Sequence, residues 1–247
     1  MILCYGDSIT KGVPGVSYLK FIDKKWKLRN CGLGGDTVTG LSNRITLKLK
    51  NHKCNDYIIQ IGTNDILLPH LLQHSEQWQK RIEALIEGGR IPCENESEFV
   101  ERYTNLIRML KEHEKNFMVV NIPCIGEDLN SPLNAKVDAY NKALKSVTDK
   151  YKVTHIDFNG WQTKVLAGEK SQGVFFISKN PLNMIIDSVV TSVLPVSDYL
   201  SRRRGLHLTV DGCHLNSMGA KGLAGQVQEK LEGYRLAGSQ KKVHGEG

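Results

Sequence analysis

A serine near the start of the chain and an aspartate–histidine pair near its other end have the residue types of a nucleophilic catalyst. Ser8 follows Gly6 and Asp7 directly after a short apolar run, and Asp211 precedes His214 by three residues. A carboxylate at that spacing can accept a hydrogen bond from imidazole Nδ1, which leaves Nε2 free to take a proton from a serine hydroxyl. Taken alone, the serine segment also fits a helix-capping turn, and the Asp-x-x-His pair also fits a surface contact.

Two further segments could donate hydrogen bonds to the oxyanion of a tetrahedral intermediate. Asn64 follows an apolar run at 57–61, and its side-chain amide is a suitable donor. The segment 31–37 contains three glycines, which let backbone N–H groups approach a ligand closely. A plain turn from strand to helix is the alternative for 31–37, and neither a phosphate-binding P-loop pattern nor a dinucleotide fingerprint is present.

The elements expected to position these groups form a parallel sheet with crossover helices. Short apolar runs predict strands, several of them β-branched and ending at glycine or proline, and amphipathic runs between them predict helices. The predicted strands are 2–5, 26–30, 57–61, 117–122 and 153–158, and the predicted helices are 38–49, 99–113, 135–151 and 218–231. This alternation is typical of a three-layer α/β/α sandwich with a flavodoxin-like, five-stranded parallel sheet.

Two stretches, 67–97 and 164–206, do not fit that minimal scheme. They contain short helical patterns with apolar residues, and both follow predicted strands, where loops frame the ligand site of an α/β sheet. They either cap the site or add core or a dimer contact. If they cap it, we expect Phe176, Ile185 and Ile186 to line an acyl pocket beside the serine.

At this point the sequence resembles the SGNH (GDSL-type) hydrolases. Four segments, 6–8, 35–37, 62–65 and 211–214, occur in the order of the four signature blocks of that family. The resemblance extends from residue 2 to about residue 231, apart from the two insertions. Ile9 stands where the family usually has leucine, which changes packing and no catalytic group.

The resemblance implies roles for individual residues. It implies that Ser8 is the nucleophile, that His214 is the general base and that Asp211 orients the histidine. It also implies an oxyanion hole formed by the amides of Ser8 and Gly35 and by the side chain of Asn64. No metal and no organic cofactor are implied.

Composition and length agree with an ordinary globular enzyme. The chain has 247 residues, of which 40% are hydrophobic and 24% charged, and this fits one α/β domain with insertions. We expect that domain over 1–236 and a disordered tail at 237–247. The six cysteines show no C-x-x-C pairing, so reduced thiols are expected and a zinc site or a disulfide framework is not.

The charge pattern and the apolar pattern bear on partners and location. The formal net charge is +7, but the basic residues are spread thinly, so no nucleic-acid partner is expected. The densest cluster, 202–204, is interpreted as a solvated loop, with an anion-binding patch as the alternative. The apolar stretch 183–200 is interrupted by charges and a proline, so no integral membrane segment is expected. Without a secretory signal, a cytoplasmic protein is predicted.

These observations predict a carboxylic-ester hydrolase that works through an acyl-enzyme on Ser8 and acts on a small-molecule ester. Members of the resembled family act on lysophospholipids, thioesters, acetylated sugars and simple esters. The apolar insertions favour a medium acyl chain. An acyltransferase that uses the same residues and a non-catalytic binding module that retains the pocket are the alternatives, and assembly into a homo-oligomer is left open.

Overall fold

The computed structural model describes residues 1–49, 54–169, 177 and 181–243, with side chains to residue 233. Its centre is a five-stranded parallel sheet in the order β2-β1-β3-β4-β5. The strands are β1 (Ile2–Gly6), β2 (Leu28–Gly32), β3 (Asp56–Gln60), β4 (Asn116–Val120) and β5 (Thr154–Ile156). The predicted fold class is confirmed, and the ends of the predicted strands differ from these bounds by at most two residues.

Helices connect and cover the strands. They are α1 (Ser8–Lys11), a 3-10 turn (Tyr18–Phe21), α2 (Val38–Leu49), α3 (Thr63–Leu72), α4 (Glu76–Glu87), α5 (Glu96–Glu112), α6 (Pro132–Lys150), α7 (Phe158–Leu166), α8 (Pro181–Val193), α9 (Ser197–Arg203) and α10 (Ser217–Val243). Helix α10 extends well beyond the predicted 218–231 and overlaps the predicted tail at 237–243. Residues 244–247 lie outside the described part of the chain.

Two helices begin three residues earlier than their periodic apolar pattern indicates, because capping residues precede them. Asn95 accepts a hydrogen bond from the amide of Glu98 at 3.0 Å and starts α5. Ser131 caps α6 in the same way, and Pro132 occupies the first helical position, where its missing N–H costs nothing. A polar cap thus sets the first residue, whereas the apolar spacing only marks the buried face.

The central strands of the sheet are buried on both faces. Ile58 and Ile59 are neighbours in β3, so their side chains point to opposite faces, and both are fully buried. On either side, α5 packs against α2 and α6, and α10 packs against α7. Strand β1 pairs in parallel with both β2 and β3, which aligns the carboxyl ends of three strands at one edge.

The first insertion folds as the second part of α3, all of α4 and the loop to α5. Trp78 and Ile82 of α4 are each 1% exposed, so this insertion belongs to the hydrophobic core as well as to the surface. The second insertion contributes α8 and α9. Of the apolar residues singled out there, Phe176 lies outside the described residues, and Ile185 and Ile186 are 40% and 58% exposed.

Helix α2 offers a matched pair of leucines that tests the assignment of its buried face. Leu41 is fully buried, whereas Leu47 is 79% exposed. We expect Leu41→Ala to lower the free energy of unfolding by about 2–5 kcal/mol, because it leaves a cavity in the core. Leu47→Ala should change it by no more than about 0.5 kcal/mol. Urea denaturation measures both, and equal effects would contradict this orientation of α2.

Candidate active site

Ser8 lies directly beyond the carboxyl end of β1, at the first position of α1. Asp7 caps that helix by accepting a hydrogen bond from the amide of Ile9 at 2.8 Å. The strand end must be glycine, because a Cβ on Gly6 would lie 2.4 Å from the backbone oxygen of Gln60. The close approach of β3 to β1 therefore fixes where the serine emerges, and Ser8 retains 8% exposure there.

His214 and Asp211 lie against Ser8 although they come from the far end of the chain. His214 Nε2 is 2.9 Å from Ser8 Oγ, and His214 Nδ1 is 2.7 Å from Asp211 Oδ2. The second oxygen of Asp211 accepts hydrogen bonds from the amides of Cys213 at 3.0 Å and of His214 at 2.9 Å. The structure thus brings together the three residues that the sequence singled out for acid–base and nucleophilic chemistry.

The electrostatics of the pair favour an ionised aspartate beside the imidazole. Burial raises the pKa of Asp211, but the charge and hydrogen bonds of His214 and the amide of Cys213 outweigh it, so that pKa is lowered. Burial lowers the pKa of His214, but the charge and hydrogen bond of Asp211 outweigh it, so that pKa is raised above 6.5. Asp7 is also buried nearby, and burial raises its pKa to about 6.

The loop that carries Asp211 and His214 is held by Glu127, a buried residue that no sequence signal identified. One carboxylate oxygen of Glu127 accepts from the amides of Leu208 and Thr209, both at 2.8 Å, and from the Thr209 hydroxyl at 2.6 Å. The other accepts from the amide of His207 at 2.6 Å. Glu127 therefore orders the segment directly before the Asp-x-x-His pair.

A second anchor corrects the interpretation of the basic cluster 202–204. Arg202 and Arg203 are exposed, but they lie at the end of α9 and not in a loop, and Arg204 is only partly exposed. Its guanidinium contacts Asp187 of α8 at 2.6 and 2.8 Å and the backbone oxygen of Val210 at 2.8 Å. The prediction failed there because the partners of Arg204 come from other segments of the fold.

The expected oxyanion donors belong to residues that line one cavity. Asn64 lies in the first turn of α3, and its Nδ2 donates to the backbone oxygen of Asp36 at 2.9 Å, which leaves its second hydrogen available. Gly35 has a φ of 73°, a conformation that favours glycine. Within the described part of the chain, the amides of Ser8 and Gly35 donate to no protein acceptor.

These groups open into a cavity of about 330 Å³, whose wall includes Ser8, Gly35, Asn64 and His214. Both insertions contribute to it. Their apolar and small polar lining residues include Leu67, Leu71, Trp78, Leu85, Met184 and Ser188. The insertions therefore border the site.

The prediction that Ile185 and Ile186 line the cavity was wrong. Met184 and Ser188, one helical turn apart, face it, whereas Ile185 and Ile186 point away and are exposed. Because α8 has apolar residues on several sides, its sequence did not indicate which side faces the cavity. Phe176 falls outside the described residues.

Metal clusters, disulfides and membrane-spanning helices were the other features considered in the sequence. Within the described residues, no group of three or more histidine, cysteine, aspartate or glutamate side chains could hold a metal ion. All six cysteines are free thiols. None of the described helices combines the length and apolar character needed to cross a membrane.

Several solved structures share this fold, and three of them serve as examples. The acetyl xylan esterase AlAXEase has a TM-score of 0.61 at 16% identity, covering 94% of this chain and 100% of its own. The acetylxylan esterase Axe2 of Geobacillus stearothermophilus has a TM-score of 0.57 at 16% identity, covering 93% of each chain. A lipolytic G-D-S-L family protein of Veillonella parvula has a TM-score of 0.56 at 18% identity, covering 92% and 96%. Such identities establish the fold alone.

A serine, a histidine and an aspartate meet at the carboxyl edge of a parallel sheet that helices cover on both sides. This combination of fold and side chains is typical of serine hydrolases. The sequence model of the GDSL-like lipase/acylhydrolase family matches residues 4–220. The chain therefore belongs to this family, as the four signature segments predicted. The curated protein sequences contain no match.

Glu127→Gln tests whether the buried carboxylate orders the histidine loop. The variant keeps the shape of the side chain but loses the charge that four donors share, so we expect a loss of about 2 kcal/mol or more in the free energy of unfolding. The exposed Glu112 at the end of α5 supplies the control, Glu112→Gln. Urea denaturation of both variants decides, and equal stabilities would show that Glu127 is not an anchor.

Proposed function

We propose that this chain is a carboxylic-ester hydrolase that forms an acyl-enzyme on Ser8. The observation that carries the proposal is the contact of Ser8 Oγ with His214 Nε2 at 2.9 Å, in a cavity that also contains Asn64 and Gly35. The membership in the GDSL-like lipase/acylhydrolase family supports it. A serine in such a contact can give up its proton to the imidazole as it attacks a carbonyl carbon.

In the acylation step, Ser8 Oγ bonds to the ester carbonyl carbon and its proton passes to His214 Nε2. The carbonyl oxygen becomes an oxyanion, which the amides of Ser8 and Gly35 and the side chain of Asn64 stabilise by hydrogen bonds. The carbon–oxygen bond to the alcohol then breaks, and His214 returns the proton to the departing alkoxide. Asp211 stabilises the imidazolium throughout, from 2.7 Å.

In the deacylation step, a water molecule takes the place of the alcohol. His214 removes a proton from that water as its oxygen attacks the acyl carbon, and the second oxyanion binds to the same donors. The bond to Ser8 Oγ breaks, and the proton on His214 returns to the serine. The products are an alcohol and a carboxylic acid.

The size of the cavity bears on the substrate. At about 330 Å³ it is near the lower end of the range for small-molecule sites. Leucines of α3 and α4 supply an apolar wall for an acyl group, in keeping with a small-molecule ester. Two of the similar structures are acetyl xylan esterases, and together with the small cavity they favour a short acyl group over the medium acyl chain expected from the apolar insertions. We regard 1–236 as one domain built around this site.

Ser8→Ala should abolish turnover of p-nitrophenyl acetate, with a loss of about 10³-fold or more, because the hydroxyl that forms the acyl-enzyme is gone. Labelling by a fluorophosphonate serine probe should be lost as well. Ser146→Ala, on the exposed face of α6, is the control and should keep both. Thermal melts show whether each variant is folded. Activity of folded Ser8→Ala above a trace would identify another nucleophile.

The pH dependence of kcat/KM should show activity rising with pH through an ionisation above 6.5. His214 must be neutral to accept the serine proton, and its raised pKa keeps the inactive imidazolium populated to higher pH. Asp211→Asn should lower the rate by about 10²–10⁴-fold. It should also move that ionisation downward, because the charge that raised it is removed.

The shift on Asp211→Asn separates His214 from Asp7, whose pKa of about 6 could add a second step. Rates of p-nitrophenyl acetate hydrolysis from about pH 5 to about pH 9 give the profile. A flat profile across that range would rule out an imidazole base. A profile that does not move in Asp211→Asn would assign the ionisation to another group.

A further inference from the structure

Two arginines of the first insertion lie in the wall of the cavity that contains Ser8. Arg81 belongs to α4 and Arg90 to the loop that leads to α5. Both side chains are partly buried, and the Nε atom of each is shielded from solvent. The wall around them is otherwise largely apolar, with Trp78 and Leu85 from the same segment.

Neither arginine side chain has a hydrogen-bond or ion-pair partner within the described residues. The buried Nε of Arg81 and of Arg90 has no hydrogen-bond acceptor, and no carboxylate lies within ion-pair distance of either guanidinium. The other partly buried arginines of the fold are paired: Arg44 with Asp36, Arg102 with Glu98 and Arg204 with Asp187.

Asp36 is the acidic side chain whose charge acts on Arg90, but its ion pair is with Arg44, and its Oδ1 has no hydrogen-bond partner among the described residues. Its Oδ2 accepts from Arg44 Nε at 2.9 Å and from Arg44 Nη2 at 2.5 Å. Burial raises the pKa of Asp36, against the charges of Arg44 and, more weakly, Arg90. Arg90 therefore acts on this carboxylate from beyond ion-pair distance and makes no hydrogen bond to it.

Two unpaired cations close together in a partly buried wall are electrostatically unfavourable. Burial lowers the pKa of Arg81, and the positive charge of Arg90 lowers it further. A bound anion would supply acceptors for the shielded Nε–H groups and would relieve the repulsion between the guanidinium groups. Lys11, exposed at the cavity, adds a third positive charge.

We propose that the substrate of this esterase carries an anionic group, a carboxylate or a phosphate, that binds to Arg81 and Arg90 beside the reacting ester. The inference rests on the proposed function and deepens it. Arginine presents a planar fork of N–H donors that matches both anions. The aliphatic Cδ of Arg90 is 3.8 Å from where a Cβ of Gly35 would be, so the side chain of Arg90 passes beside one of the expected oxyanion donors.

Two pairs of esters, each differing in one anionic group, test the proposal and locate the charge. For an anion on the acyl side, p-nitrophenyl hydrogen glutarate is compared with p-nitrophenyl pentanoate. For an anion on the alcohol side, acetylglycerol phosphate is compared with acetylglycerol, with release of acetate measured. We expect kcat/KM to favour the anionic member of at least one pair by about 10-fold or more at low salt, the effect of a charge-assisted hydrogen bond.

The double variant Arg81→Gln/Arg90→Gln should bring that ratio to about 1 or below. Arg81→Lys, which keeps the charge but not the fork, should retain part of the preference. Lys80→Gln is the matched control, because Lys80 is the neighbour of Arg81 on α4 and is exposed outside the cavity. It removes one charge from the same helix, and the ratio should stay that of the wild type.

Three results would overturn the proposal. These are equal kcat/KM within both pairs, a preference that survives in the folded double variant, and an equal loss of preference in Lys80→Gln, which would indicate general electrostatic steering. If the double variant does not fold, Arg81→Gln and Arg90→Gln are measured singly, and each should lower the ratio.

A chain that hydrolyses none of these esters, p-nitrophenyl acetate included, would contradict the proposed hydrolase instead. Thermal shifts with inorganic phosphate and with glutarate then decide on the anion site. Stabilisation of the wild type by either anion, absent in the double variant, supports the site. No shift in the wild type, or the same shift in both proteins, overturns it.

Discussion

The contact between His214 Nε2 and Ser8 Oγ joins residues that are 206 positions apart, and the rest of the site is arranged around it. An imidazole can receive the serine proton only if its tautomer and its ring orientation are held. Asp211 holds both, from Nδ1 and from two backbone amides. Glu127 in turn holds the backbone that leads into Asp211. The geometry at the serine therefore depends on a buried carboxylate that does not touch the cavity.

The two sides of the cavity differ in whether their charged side chains are paired within the fold. On one side, Asp211 and His214 are buried and hydrogen-bonded to each other. This contact offsets the free-energy cost of removing their charges from water. On the other side, Arg81 and Arg90 have no counter-charge from the described residues. An unpaired cation in a ligand cavity is most simply completed by the ligand, which is why we assign these two arginines to substrate recognition.

The positions of Ser8, Gly35 and Asn64 near one another follow from the strands that precede them. Strands β2, β1 and β3 are adjacent and parallel, so the segments after their carboxyl ends meet at one edge. The alternation of strand and helix patterns predicted all three of these strands, and the segments that follow them could therefore be assigned to the site before the fold was known. The start of α5 was predicted too late because a cap, and no apolar residue, begins that helix.

The sequence by itself determined the fold class, the strand ends and the signature segments, because these depend on local patterns of apolar spacing and on motif residues near strand ends. The tertiary structure decided which side of α8 faces the cavity, why Glu127 is buried and which arginines lack partners. Those properties depend on contacts between segments far apart in the chain. The hydrogen bonds that Thr209 donates to Glu127, for example, span 82 residues, a separation at which no local pattern records the partner.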